Sequence, residues 1–165
     1  MTTSRALRAH LGSAQVGRVV YGAIIGLAVV LVMEDHPPSA AVVAGTLVGT
    51  GVVVGLAEVY SEFLGAETRL RRRVERDQAT RITAQALAVS FGIAFPATIF
   101  VLAEAGLTSI ETAFTVAKWS GVGLIGFYGF CAGRLAGAGV AAALVQAVSV
   151  AVVGAMLIAL KALLH

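Results

Sequence analysis

From Ser39 to Ala57 the chain runs nineteen residues without a charged side chain, SAAVVAGTLVGTGVVVGLA. At 1.5 Å per residue this makes a helix of about 28 Å, close to the thickness of the hydrocarbon layer of a bilayer. Four further stretches are also largely free of charge, and together they predict an all-α polytopic membrane protein with five transmembrane helices. The predicted spans cover about 17–33, 39–64, 82–103, 112–133 and 135–160, within one domain over residues 1–165. The first is the shortest, because only the fifteen residues Val19–Met33 are free of charge. It reaches bilayer thickness when Val16 and Gly17 join it and Arg18 snorkels toward the headgroups.

Composition agrees. The chain is 58% hydrophobic and 13% charged, with a mean hydropathy of +0.91, whereas a soluble domain carries about 25% charged residues. Lipid must therefore solvate much of the surface. The net charge of +3 does not point to nucleic acid, because six of the twelve basic residues crowd between Arg69 and Arg81 beside a predicted span. Arg69, Arg71, Arg72, Arg73 and Arg76, in an arginine-rich link over 66–81, read as a topology signal and a contact for anionic headgroups. Arg5, Arg8, Arg18, this link and Arg134 fall on one side when the spans alternate, and Glu34, Asp35, His36, Glu104 and Glu111 fall on the other. The positive-inside rule then predicts an inside N-terminus and an outside C-terminus, in a bacterial plasma membrane.

The least expected carboxylates are in GLAEVYSEFLGAE, which closes the second span. Glu58 and Glu62 are four apart and so share one helical face. Such a pair can hold a divalent cation, or share a proton where water is scarce. It can equally be a solvated helix end facing water or the arginines downstream. After it, RLRRRVERD reads as a helix continuing into the cytoplasm. Pro96 interrupts the third span and deprives the Gly92 carbonyl of its intrahelical donor, so Gly92 and Pro96 mark a packing kink, or a hinge beside a pathway. Lys118, beside Trp119, reads as an interfacial snorkelling lysine, and Glu34, Asp35 and His36 as a solvated turn.

Several glycines are spaced four apart: Gly22 and Gly26, Gly45 and Gly49, Gly51 and Gly55, and Gly129, Gly133 and Gly137. They predict close helix contacts within the bundle or across a homodimer. The single cysteine, Cys131, excludes an intramolecular disulfide and a cysteine-based zinc site. No nucleotide-binding loop, triad pattern or HExxH occurs, so an enzyme is not expected.

The long small-residue second helix ending in GLAEVYSEFLGAE, the glycine-then-proline GIAFPATIF in the third, and the turn GFYGFCAGRLAG before AAALVQAVSVAVVGAM resemble the vacuolar iron transporter family. The resemblance covers about Arg18 to His165. It implies a five-helix dimer exchanging iron or manganese for protons, with Glu58 and Glu62 on the helix that carries metal ligands in that family. This chain has no acidic residue from Val19 to Met33, no methionine from Ala40 to Glu67 and no glutamate-rich insert after the second helix. It therefore resembles a divergent or reduced member, lacking the cytoplasmic metal-binding insert. The expected function is a small membrane transporter, a divalent cation/proton exchanger for iron or manganese. The alternative is a non-catalytic scaffold or accessory subunit that packs through its glycine faces.

Overall fold

The computed structural model describes residues 13–70 and 73–164, and the structural statements below concern these residues. Arg71 and Arg72, with Arg5, Arg8 and His165, lie outside the described residues. Among those described there are six helices and no strand: α1 Ser13–Met33, α2 Ala40–Leu70, α3 Arg76–Ala94, α4 Ala97–Glu104, α5 Ile110–Leu135 and α6 Val140–Leu164.

Local chemistry sets the boundaries. Pro37 and Pro38 cannot extend α1, and the Ser39 hydroxyl accepts from the Val42 amide at 3.4 Å as α2 begins. A second orphan amide at this start, that of Ala41, donates to the Glu104 carboxylate at 2.9 Å. Ser109 caps α5 in the same way, accepting from the Thr112 amide at 3.2 Å. α5 ends in a left-handed glycine, Gly137 at φ 85°, with the Ala138 amide donating back to the Gly133 carbonyl at 3.0 Å.

That turn corrects the fifth predicted span, which starts at Val140 rather than at 135 because residues 136–139 form the connection. The third predicted span is two helices, α3 and α4, bent by 44° at the Phe95–Pro96 break. Phe95 still donates to the Phe91 carbonyl at 2.9 Å; Pro96 has no amide hydrogen to offer the Gly92 carbonyl, so the ladder fails there. The predicted helical run through RLRRRVERD is also corrected. α2 is described to Leu70, residues 73–75 are not helical, and α3 starts at Arg76.

Among the described residues three helices, α1, α2 and α6, are long and apolar enough to cross a membrane, and the bent pair α3–α4 is apolar enough together for a broken span or a re-entrant loop. α5 is long enough at 26 residues, but Lys118, Trp119, Ser120 and its glycines dilute its apolar character.

α1 is the hub, packed most extensively against α3 and also against α5. α2 lies on α3 and α4, while α6 rests on α5. One apolar core joins Val30 of α1, Val43 and Leu47 of α2, Phe100 of α4 and Phe114 of α5. Phe100 and Phe114 meet edge to face with centroids 4.9 Å apart. The helices come close where glycines remove side chains. A Cβ on Gly22 would run into the Val89 carbonyl and one on Gly92 into the Val19 carbonyl, while one on Gly133 would lie 2.9 Å from the Ala143 Cα. The glycine pairs of α1 and of α5 are thus used within the chain. Gly45 and Gly49 face open space.

Candidate functional site

Glu58 and Glu62 stand one turn apart on α2 and turn toward α1 rather than away from the bundle. Both meet Arg18: its Nη1 reaches Glu58 Oε1, and its Nη2 donates to Glu62 Oε1 at 3.0 Å. The side chains retain only 16% exposure at Glu58, 33% at Glu62 and 29% at Arg18. Arg69 approaches the other oxygen of Glu62 at 3.9 Å but is 72% exposed. Arg18 therefore does more than snorkel, since it bridges two carboxylates on a neighbouring helix.

The charge balance is uneven. Among the described residues two carboxylates face one guanidinium closely, that of Arg18, with the exposed Arg69 at the margin.

The remaining residues singled out from the sequence lie apart from this trio. Gly92 is buried against Val19, Gly22 and Ala23 of α1, so close helix approach accounts for its missing side chain. Pro96 sits at the α3–α4 break as the first residue before α4. Arg73 and Arg76 are exposed in the connection and at the start of α3. A separate cavity of about 360 Å³ lies between α1, α3 and α5, bordered by Gln15, Val19, Phe91 and Tyr128.

A second charged cluster, at the opposite end of the bundle, was not foreseen. Lys118 of α5 donates to Glu34 at 2.6 Å, and Lys161 of α6 reaches the other Glu34 oxygen at 3.2 Å. Lys161 also pairs with Asp35 at 2.9 Å and donates to the Leu31 carbonyl. The reading of Lys118 as merely snorkelling is corrected, and Glu34 is half-buried between two lysines, while Asp35 and His36 remain exposed in the turn as expected. Burial pushes the Glu34 carboxyl up, but hydrogen bonds and charge from Lys118 and Lys161 outweigh it and hold the group below its ordinary value. Isolated charges in otherwise apolar stretches were the available signal, since each needs a partner somewhere.

The arrangement defines a class: an all-helical bundle with several membrane-length apolar helices and a charged cluster near each end. Comparison of the chain with protein families, with curated proteins and with solved structures found no match.

Proposed function

We propose that the chain is an integral protein of the bacterial plasma membrane that carries a divalent cation, iron(II) or manganese(II), in exchange for protons. It is a carrier, not an enzyme. Five crossings follow when α3 and α4 count as one and α5 as another, with the Arg18 end cytoplasmic by the positive-inside rule. The observation that supports transport is the inward-turned trio, two half-buried carboxylates sharing one guanidinium. Ionisable groups inside a membrane bundle are costly and are kept mainly for pathways and relays. Carboxylate oxygens suit hard divalent ions. An incoming cation competes with Arg18 for Glu58 and Glu62, and protonation of either carboxylate releases it, which couples the two fluxes. The resemblance to the vacuolar iron transporter family supports the same reading. A homodimer would use the open α2 face at Gly45 and Gly49.

A second reading, a membrane scaffold or accessory subunit, is favoured by one specific observation: Arg18 already occupies both carboxylates. The test is manganese entry into proteoliposomes loaded with a metal-sensitive dye, with and without an opposing pH gradient. Transport predicts a flux that follows the proton gradient and disappears in Glu58→Gln/Glu62→Gln. No flux by the unaltered protein, or undiminished flux in the double variant, overturns it in favour of the scaffold.

A further inference from the structure

We infer that Lys161 is a releasable latch and that the end of α6 it holds is a strap, which opens this end of the bundle when the latch lets go. The inference concerns the end opposite the Arg18 trio and is independent of transport. Up to Gly154, α6 is seated by glycines. A Cβ on Gly133 would lie 2.9 Å from the Ala143 Cα and one on Gly129 3.2 Å from the Ala147 Cα. One on Gly154 would lie 3.1 Å from Ile125 of α5 and 3.5 Å from Leu27 of α1. Past Gly154 the character changes: none of the described residues of α6 is buried, and α6 touches α1 only sparsely. Two hollows open there, about 260 Å³ beside Leu31 and Leu157 and about 210 Å³ beside Lys118 and Ile158, and Lys161 borders both. Across this gap Lys161 ties α6 to the end of α1 through the Leu31 carbonyl, Glu34 at 3.2 Å and Asp35 at 2.9 Å.

A latch must let go without stranding a charge, and this one can. Breaking a buried ion pair is costly when the remaining partner stays uncompensated. Glu34 avoids that because two lysines share its carboxylate: Lys118 of α5 holds Oε1 at 2.6 Å while Lys161 of α6 holds Oε2. When Lys161 leaves, Lys118 keeps Glu34 neutralised without moving. Asp35 is exposed and passes to water. Lys161, in the last turn of α6, passes to the headgroups on its four-carbon stem. Leu31 lies in the last turn of α1, where carbonyls lack intrahelical donors and meet water readily. Neither arrangement strands a charge, which is the condition for a two-state element. The two lysines therefore oppose each other. Lys161 closes the strap, while Lys118 repels Lys161 in the closed state and neutralises Glu34 in the open one.

The experiment is a spin-label distance measurement by pulsed electron paramagnetic resonance on the full chain in lipid nanodiscs, with Cys131→Ser and labels at Leu107→Cys and Leu163→Cys. Leu107, in the connection between α4 and α5, and Leu163, at the end of α6, are 73% and 83% exposed. With the latch unaltered, one distance should predominate. Lys161→Met should add a longer one, its fraction raised roughly tenfold. Asp35→Asn should open the strap in part, and Lys118→Met added to it should close the strap again, because Glu34 then faces Lys161 alone. Labels at Leu107→Cys and Tyr60→Cys, the latter 72% exposed on α2, should keep their distance throughout. An unchanged Leu107–Leu163 distance in Lys161→Met overturns the inference. So does a Leu107–Tyr60 distance that changes alongside it, which would mean general loosening. Lys118→Met adding to the opening in Asp35→Asn also overturns it, since the lysines would then be two rivets of one fixed joint.

Discussion

The two charged clusters do the same mechanical work with opposite chemistry. At one end α1 supplies the cation, Arg18, to two carboxylates of α2; at the other, the chain leaving α1 supplies carboxylates to lysines of α5 and α6. The helix pairs they bridge include α1–α2 and α1–α6, whose backbones touch only sparsely. Where α1 packs broadly, on α3 and α5, apolar side chains and glycines make the contact. Ion pairs bridge both thinly packed helix pairs, and Lys118 adds one more at the end of the broad α1–α5 contact. The clusters differ in balance: the Glu34 end sets Glu34 and Asp35 against Lys118 and Lys161, while the Arg18 end sets Glu58 and Glu62 against one close guanidinium and the exposed Arg69. A matched cluster suits a fastening and an unbalanced one suits a site.

The largest expected effect breaks the unbalanced end. Arg18→Gln leaves two carboxylates facing each other with little solvent, where fully buried pairs lose about 3–5 kcal/mol on removal of one partner. Partial exposure of all three side chains reduces this, so about 1–3 kcal/mol of destabilisation is expected, read as a lower midpoint in thermal or denaturant unfolding. Glu58→Gln/Glu62→Gln added to Arg18→Gln should recover much of that loss, because no unpaired charge remains. Lack of recovery would show that Arg18 matters through its packing alone. Lys161→Met comes next, at about 1–2 kcal/mol, since it removes two ion pairs and a carbonyl contact but leaves Lys118 on Glu34. Its signature is local: faster amide exchange at the C-terminal turns of α6, with α1 and α3 unchanged.

What could be read in advance divides along the same lines. The helices follow from long apolar runs, and the α3–α4 break from a proline without an amide hydrogen. Glu58 and Glu62 were visible as a pair because helical spacing is local, but their partner Arg18 is 44 residues from Glu62. Glu34 finds its lysines 84 and 127 residues away, so nothing near it announced them. The break at residues 73–75 was missed because RLRRRVERD contains neither glycine nor proline to mark it. The fifth helix was started too early because glycines in membrane spans also serve packing, and only the positive φ of Gly137 identifies it as a turn.

Acidification should separate the two ends further. Glu34 lies below its ordinary value of 4.5 in the folded chain, so protonation favours the unfolded state. Its contribution is complete above that value and is lost as the pH falls from about 4.5 through the depressed folded value. Unfolding midpoints of the unaltered chain should decline over that acid window, and Glu34→Gln, with a lower midpoint at neutral pH, should flatten the decline. An unchanged slope would mean that Lys118 and Lys161 draw their stabilisation from elsewhere.

The smallest expected effect carries the most weight for the balance of the Arg18 end. Arg69 stands 3.9 Å from Glu62 and is 72% exposed, so Arg69→Ala should change stability by no more than about 0.5 kcal/mol. A double-mutant cycle of Arg69→Ala with Glu62→Gln should accordingly give a coupling near zero in 0.15 M salt, where exposed pairs are screened. That result leaves Glu58 and Glu62 with one committed counter-ion. A coupling well above 1 kcal/mol would make Arg69 a fourth member, match this end to the other, and weigh against the proposed cation exchange.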